Sequence, residues 1–163
     1  MAELTKQTID WINKAPMRVE AKAESTAAPD KVFAVLADHE RWPEWFPSVK
    51  KVTVLGPAEG VGARRRVAIP GSTVDEEFII WEPGARWSFT GYDAKPRFTR
   101  SLVEDCVLTP LANGGTAISY TMHLEPSGPV GFLMKLANGR LVKNNTRPCR
   151  IWRSEPRVVR GVR

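Results

Sequence analysis

Three ionisable side chains, Glu76, Arg100 and Glu104, stand among apolar neighbours on strand-like stretches of this chain. A carboxylate in such surroundings resists ionisation and can act as a general acid or base. Glu76 with Arg100 is the pair that would carry catalysis inside a pocket. The plainer reading of all three is a solvent-facing or ion-paired side chain. Arg64-Arg65-Arg66 forms a basic cluster on another strand-like stretch; alternate residues face opposite ways and at least one face should be solvated, so the cluster is read as surface. The two histidines are His39, in a turn between helices, and His123, on the expected outer face of the last strand. Neither has a carboxylate or thiol at a catalytic spacing. Cys106 and Cys149 lack zinc spacing, and no glycine-rich stretch has the spacing of a nucleotide-binding loop. No metal and no cofactor are expected.

The elements that must position these groups follow from periodicity. Met17–Ser25 alternates apolar and polar, the pattern of a half-buried strand. Pro29 and Asp30 then suit the first turn of a helix whose apolar face is Val32, Phe33, Val35 and Leu36. His39–Pro47 is broken by proline and reads as a short second helix or turn carrying Trp42, Trp45 and Phe46. Strand-like stretches follow at Val49–Leu55, Ala63–Ile69, Thr73–Trp81, Arg86–Tyr92, Phe98–Leu108 and Thr116–Leu124. Between them stand Gly56-Pro57, Gly60-Val61-Gly62, Pro70-Gly71, Pro83-Gly84 and Asn113-Gly114-Gly115, whose residue types favour turns. Short links between consecutive strands imply an antiparallel meander. After Ser127-Gly128-Pro129 the pattern turns helical from Val130 to about Asn144. A long antiparallel sheet needs its apolar face covered, and this is the one long helix available.

The chain has 163 residues, 42% of them hydrophobic, enough for one domain with a core or a ligand cavity. Its formal charge of +6 is concentrated at one end. Residues 147–163 hold six Arg against Glu155 alone, while residues 1–146 hold 18 basic against 17 acidic residues. The organisation expected is therefore a lead at 1–16, a domain at 17–146, and an irregular Arg-rich tail at 147–163. The abrupt change of composition points to a replaced reading frame or an atypical tail. No stretch has the roughly 20 apolar residues of a membrane-spanning helix. Without a signal peptide or disulfide framework, a cytoplasmic location is expected.

Ala28-Pro29-Asp30-Lys31-Val32-Phe33, Leu36-Ala37-Asp38 and Trp42-Pro43-Glu44-Trp45-Phe46-Pro47 resemble the START-like, helix-grip superfamily. Its polyketide cyclase/dehydrase and lipid-transport branch is the nearest match. Gly60-Val61-Gly62, Trp81-Glu82-Pro83-Gly84 and Gly114-Gly115-Thr116 fit the same template over residues 17–146. The resemblance implies an α+β helix-grip fold. In it, a curved antiparallel sheet of about seven strands wraps a C-terminal helix, with two short helices after the first strand. It also implies a hydrophobic cavity between sheet and helix.

The expected cavity residues are Phe78, Ile80, Trp87, Phe89, Tyr120 and Met122 by strand alternation, Trp45 and Phe46 from the proline-broken turn, and Phe132, Leu133 and Leu136 from the apolar positions of the last helix. Val74, Phe78 and Ile80 are expected to share a face with Glu76 among them. Packing without a ligand explains each of these rings as well. The leading expectation is binding or transport of a small hydrophobic molecule, such as a lipid, fatty acyl or polyketide-like compound. The first alternative is a polyketide cyclase or dehydratase. The second is a nucleic-acid or anionic-surface binder acting through the tail, although no nucleic-acid motif is present. The chain is expected to be a monomer or homodimer.

Overall fold

Strand alternation and turn chemistry come together in the computed structural model, which describes residues 3–128. Seven strands form one curved antiparallel sheet: β1 (Met17–Ser25), β2 (Lys51–Val54), β3 (Arg64–Ile69), β4 (Ser72–Glu82), β5 (Arg86–Lys95), β6 (Thr99–Pro110) and β7 (Thr116–Pro126). Their order is β1-β7-β6-β5-β4-β3-β2. Strands β2 to β7 are the expected meander, and β1 closes against β7 with Met17 opposite Leu124 and Ser25 opposite Thr116. The expected helix over residues 130–144, with Phe132, Leu133 and Leu136, and the tail at 147–163 lie outside the described residues.

Between β1 and β2 run α1 (Pro29–Ala37), a 3-10 turn (His39–Arg41) and the single turn α2 (Trp42–Trp45). Helix α1 has no side-chain cap, but Pro29 opens it and Asp30 sits in its first turn. Val32, Phe33 and Leu36 are its buried stripe. The Trp42 indole N–H donates to the Leu36 carbonyl at 2.9 Å, which ties α2 to the end of α1. Gly84, at φ 72°, turns β4 into β5, and a side chain there would strike the Asp30 carboxylate. That turn is therefore seated on the start of α1.

Two β-bulges decide what faces inward from β4. Phe78 opposes Phe89, but Ile80 opposes Ser88, so Ile79 is an extra residue. Trp81 then opposes Trp87 and packs on the inner core in the place expected for Ile80. Ile80 is half-buried and turns to the other face with Ser88. Simple alternation failed here because one inserted residue shifts every later side chain to the opposite face.

The inner face of the sheet holds the main core, in which Val32, Phe33, Leu36 and Trp42 pack on Phe78, Trp87, Phe89, Cys106, Leu108 and Ile118. A second cluster lies around Leu4, Met17, Val74, Ala94, Leu102 and Leu124. Leu4 is there because β5 and β6 pair only between Arg86–Thr90 and Val103–Val107. Beyond that stretch the lead enters the gap: Leu4 N–H donates to the Tyr92 carbonyl and Thr5 N–H to the Arg100 carbonyl, at 3.0 and 2.8 Å. The lead then crosses the outer face, where Gln7 bonds Thr90 and Ser101.

Candidate functional site

Strand pleating sorts the three consecutive arginines. Arg64 and Arg66 point outward to Glu77 and Asp75. Arg65 points inward and is 1% exposed, so the surface reading fails for the middle residue of the cluster. Its backbone neighbour across the ladder is Glu76, and its Nε donates to Glu76 Oε2 at 2.7 Å. Four rings surround the guanidinium, whose Cζ lies 4.0 Å from the Trp42 ring centre, 4.9 Å from Phe89, 5.2 Å from Phe78 and 5.7 Å from Trp87. A planar, weakly hydrated cation is the basic group suited to such stacking.

Three further polar groups complete the cluster. Arg65 Nη1 lies 3.1 Å from His39 Nδ1, while His39 Nε2 lies 3.0 Å from the Ala58 carbonyl. Arginine only donates, so Nδ1 accepts and Nε2 carries the proton. Burial and the Arg65 charge push the His39 pKa down to about 4, which keeps the ring neutral. The buried Glu104 lies on β6 opposite Phe89 and Met122. Tyr120 donates its hydroxyl proton to Glu104 Oε2.

Two buried carboxyls thus share the neighbourhood of one guanidinium. Burial raises the Glu76 pKa, and the Arg65 charge and hydrogen bond pull it back. Burial and the neighbouring Glu76 charge raise Glu104 well above the usual carboxylate range, against a weaker pull from Arg65. One cation balances one anion, which favours the charge on Glu76, paired with Arg65, and the proton on Glu104. The centre is then neutral overall, sealed among aromatic rings, and able to hold or release a proton at Glu104.

The expected catalytic pair does not form. Glu76 points inward, but Arg100 is on the surface with its side chain 64% exposed, beside Glu125. Of the expected cavity residues, Phe78, Trp87 and Phe89 are buried around Arg65. Trp45, Phe46 and Tyr120 are half-buried against that core, and Met122 is half-buried against the second cluster. Arg65, His39 and Trp81 were missed as parts of the site, and Trp42 was weighed only as part of an aromatic turn. For Arg65 the signal was available, since three consecutive strand residues cannot share a face.

His123 is on the outer face as expected, but it is only 4% exposed because the lead covers it. Burial lowers its pKa. A cleft of about 410 Å³ lies here between the lead and the sheet, lined by Ile12, Arg18, Asp105 and His123 among others. Asp105 in it is held by Arg86 through two hydrogen bonds of 2.8 and 3.0 Å. Among the described residues, no cluster of three or more His, Cys, Asp or Glu side chains could hold a metal ion. No described helix is long and apolar enough to cross a membrane.

A family model described as polyketide cyclase/dehydrase and lipid transport matches residues 16–148. An uncharacterized protein of Mycobacterium tuberculosis is 32% identical over 123 residues, covering 74% of this chain and 73% of that protein. A START superfamily protein from Mycobacterium smegmatis has the same fold, with a TM-score of 0.62 and 16% identity over 77% of this chain and 89% of that one. The Zhui aromatase/cyclase of a Streptomyces species gives a TM-score of 0.63 and 17% identity, covering 78% and 86% of the two chains.

Proposed function

The chain belongs to the polyketide cyclase/dehydrase and lipid transport family, and from that premise we propose that it binds a small hydrophobic molecule on the inner face of its sheet. A lipid, fatty acyl or polyketide-like compound fits this description. The observation that carries the reading is a neutral polar centre, Arg65–Glu76–Glu104, enclosed by Trp42, Phe78, Trp87 and Phe89. Apolar area supplies the affinity, at about 25 cal/mol per Å² removed from water, and a few polar groups fix orientation. The half-buried Trp45, Phe46 and Tyr120 border this centre and form the entry side.

Native mass spectrometry of the gently purified full chain tests the reading, alongside equilibrium dialysis against heptylbenzene. Binding is expected in at least one of them. A chain that carries no small molecule and takes up no heptylbenzene contradicts it.

One observation favours an enzymatic second reading, a cyclase or dehydratase. Glu104 holds a proton in an apolar site beside a tyrosine hydroxyl, as a general acid requires. The Zhui protein of similar fold is an aromatase/cyclase. Turnover of a poly-β-ketone substrate that Glu104→Gln abolishes, with ligand binding retained, would support this reading.

A further inference from the structure

We propose that the inner site selects ligands carrying a neutral acceptor oxygen, a ketone, ester or amide carbonyl, through the free N–H groups of Arg65 Nη2 and Trp87 Nε1. The inference rests on the binding reading above and adds the polarity of the ligand.

Its basis is the balance of donors and acceptors around the guanidinium. Arg65 Nε and Nη1 are engaged by Glu76 and His39, but Nη2 has no hydrogen-bond partner among the described residues and is cut off from solvent. Trp87 Nε1, on the ring 5.7 Å from the Arg65 Cζ, is likewise buried without a partner. Both side chains are at least 98% buried. Buried N–H groups are nearly always satisfied, and each one left unsatisfied costs about 1–3 kcal/mol. Two such donors on neighbouring side chains suit a partner that supplies lone pairs. An ammonium group brings only donors and would leave both unmet.

One oxygen of each nearby carboxyl is already engaged. Glu76 Oε2 takes Arg65 and Glu104 Oε2 takes Tyr120. Charge narrows the choice further. The single cation is already balanced by Glu76, and Glu104 lies beside them. A ligand carboxylate would add a second negative charge in a water-poor site with no second cation among these groups, a costly arrangement. A neutral carbonyl accepts two hydrogen bonds without that penalty.

Three probes of matched size separate the possibilities: heptylbenzene, heptanophenone and 7-phenylheptanoate, each measured by equilibrium dialysis with the full chain at pH 7. Heptanophenone is expected to bind about five- to tenfold more tightly than heptylbenzene, the worth of a net hydrogen bond or slightly more. It should also bind more tightly than the carboxylate. Trp87→Phe keeps a ring and removes the N–H, so it should erase most of the ketone's advantage, read as the ratio of heptanophenone to heptylbenzene affinity in the same variant. In the wild type, the Trp87 indole N–H resonance should shift with heptanophenone by more than with heptylbenzene. Equal binding of ketone and hydrocarbon, or tightest binding of the carboxylate, overturns the proposal and leaves hydrophobic binding standing. If none of the three binds to a chain that native mass spectrometry shows to carry no small molecule, the binding reading falls, and this inference falls with it.

Discussion

Arg65 and Glu76 face each other across β3 and β4 at 2.7 Å, and neither side chain is more than 6% exposed. Such a pair is a weak source of net stability but a sensitive one, because removing one partner strands the other's charge in the core. Arg65→Met should therefore destabilise the domain by about 3–5 kcal/mol at pH 7. Combining Arg65→Met with Glu76→Gln should restore a good part of that loss, since no charge is then left unpaired. Urea-unfolding midpoints for the two single variants and the double variant measure the coupling. A double variant no more stable than Arg65→Met alone would show that Glu76 is not charged opposite Arg65.

The same cluster should give the domain a stability optimum bounded on both sides by pH. His39 is lowered from 6.5 to about 4, so the unfolded chain takes up its proton first. Its contribution is complete above pH 6.5 and is lost as the pH falls toward 4. His123, also lowered by burial, adds to the acid side in the same sense. Glu104 behaves oppositely, because the folded chain holds its proton beyond the range in which an unfolded glutamate loses it. Its contribution is complete below about pH 4.5 and fades as the pH rises toward the folded value. Glu76, raised in the same direction, adds to that alkaline-side loss. Glu104→Gln keeps a neutral acceptor for Tyr120 and should flatten the alkaline side without altering the acid side. Urea midpoints between pH 4 and 9 provide the check, and an unchanged slope above pH 5 in Glu104→Gln would refute the assignment.

These groups show where reading the chain succeeds and where it stops. Met17–Ser25 was legible to the residue because one face is apolar and period two is unambiguous. The turns at Pro70-Gly71 and Pro83-Gly84 were legible because few other residues adopt those backbone angles. Ile80 was misplaced because a bulge leaves no mark in composition, and Trp81 gained the inner position that it lost. Arg100 was paired with Glu76 on the strength of apolar neighbours. Neighbours in sequence do not say which face a residue takes, and Arg100 took the solvent. Arg65 was hidden by its own neighbours, since three arginines in a row suggest a surface patch. What brings Arg65 inward is a set of long-range partners, Glu76, His39, Trp42 and Trp87, from four separate segments. Charge arithmetic over the whole chain was uninformative for the site. The basic excess sits at 147–163, while the inner cluster is close to neutral.

The lead, expected at residues 1–16 and described from residue 3, is tied to the body by Leu4. That side chain is 5% exposed and packs in the cluster with Met17, Val74, Ala94, Leu102 and Leu124. Gly91 makes room for it, since a Cβ there would lie 3.0 Å from the Leu4 side chain. Leu4→Ala should cost about 2–4 kcal/mol, the usual range for a buried leucine whose surroundings cannot fully collapse. Val61→Ala, at a site 70% exposed, should change stability by less than about 0.5 kcal/mol and serves as the control. Hydrogen exchange supplies a second readout. The Leu4 and Thr5 amides bond Tyr92 and Arg100 across the gap between β5 and β6, and both should lose protection in Leu4→Ala. The Phe78 amide, bonded to the Ala63 carbonyl at 2.9 Å in the main core, should lose less than either. Equal loss at Phe78 would mean that the lead and the inner core unfold as one unit. In that case the lead would be part of the domain's cooperative core, and the domain boundary would move from residue 17 to residue 3 or earlier.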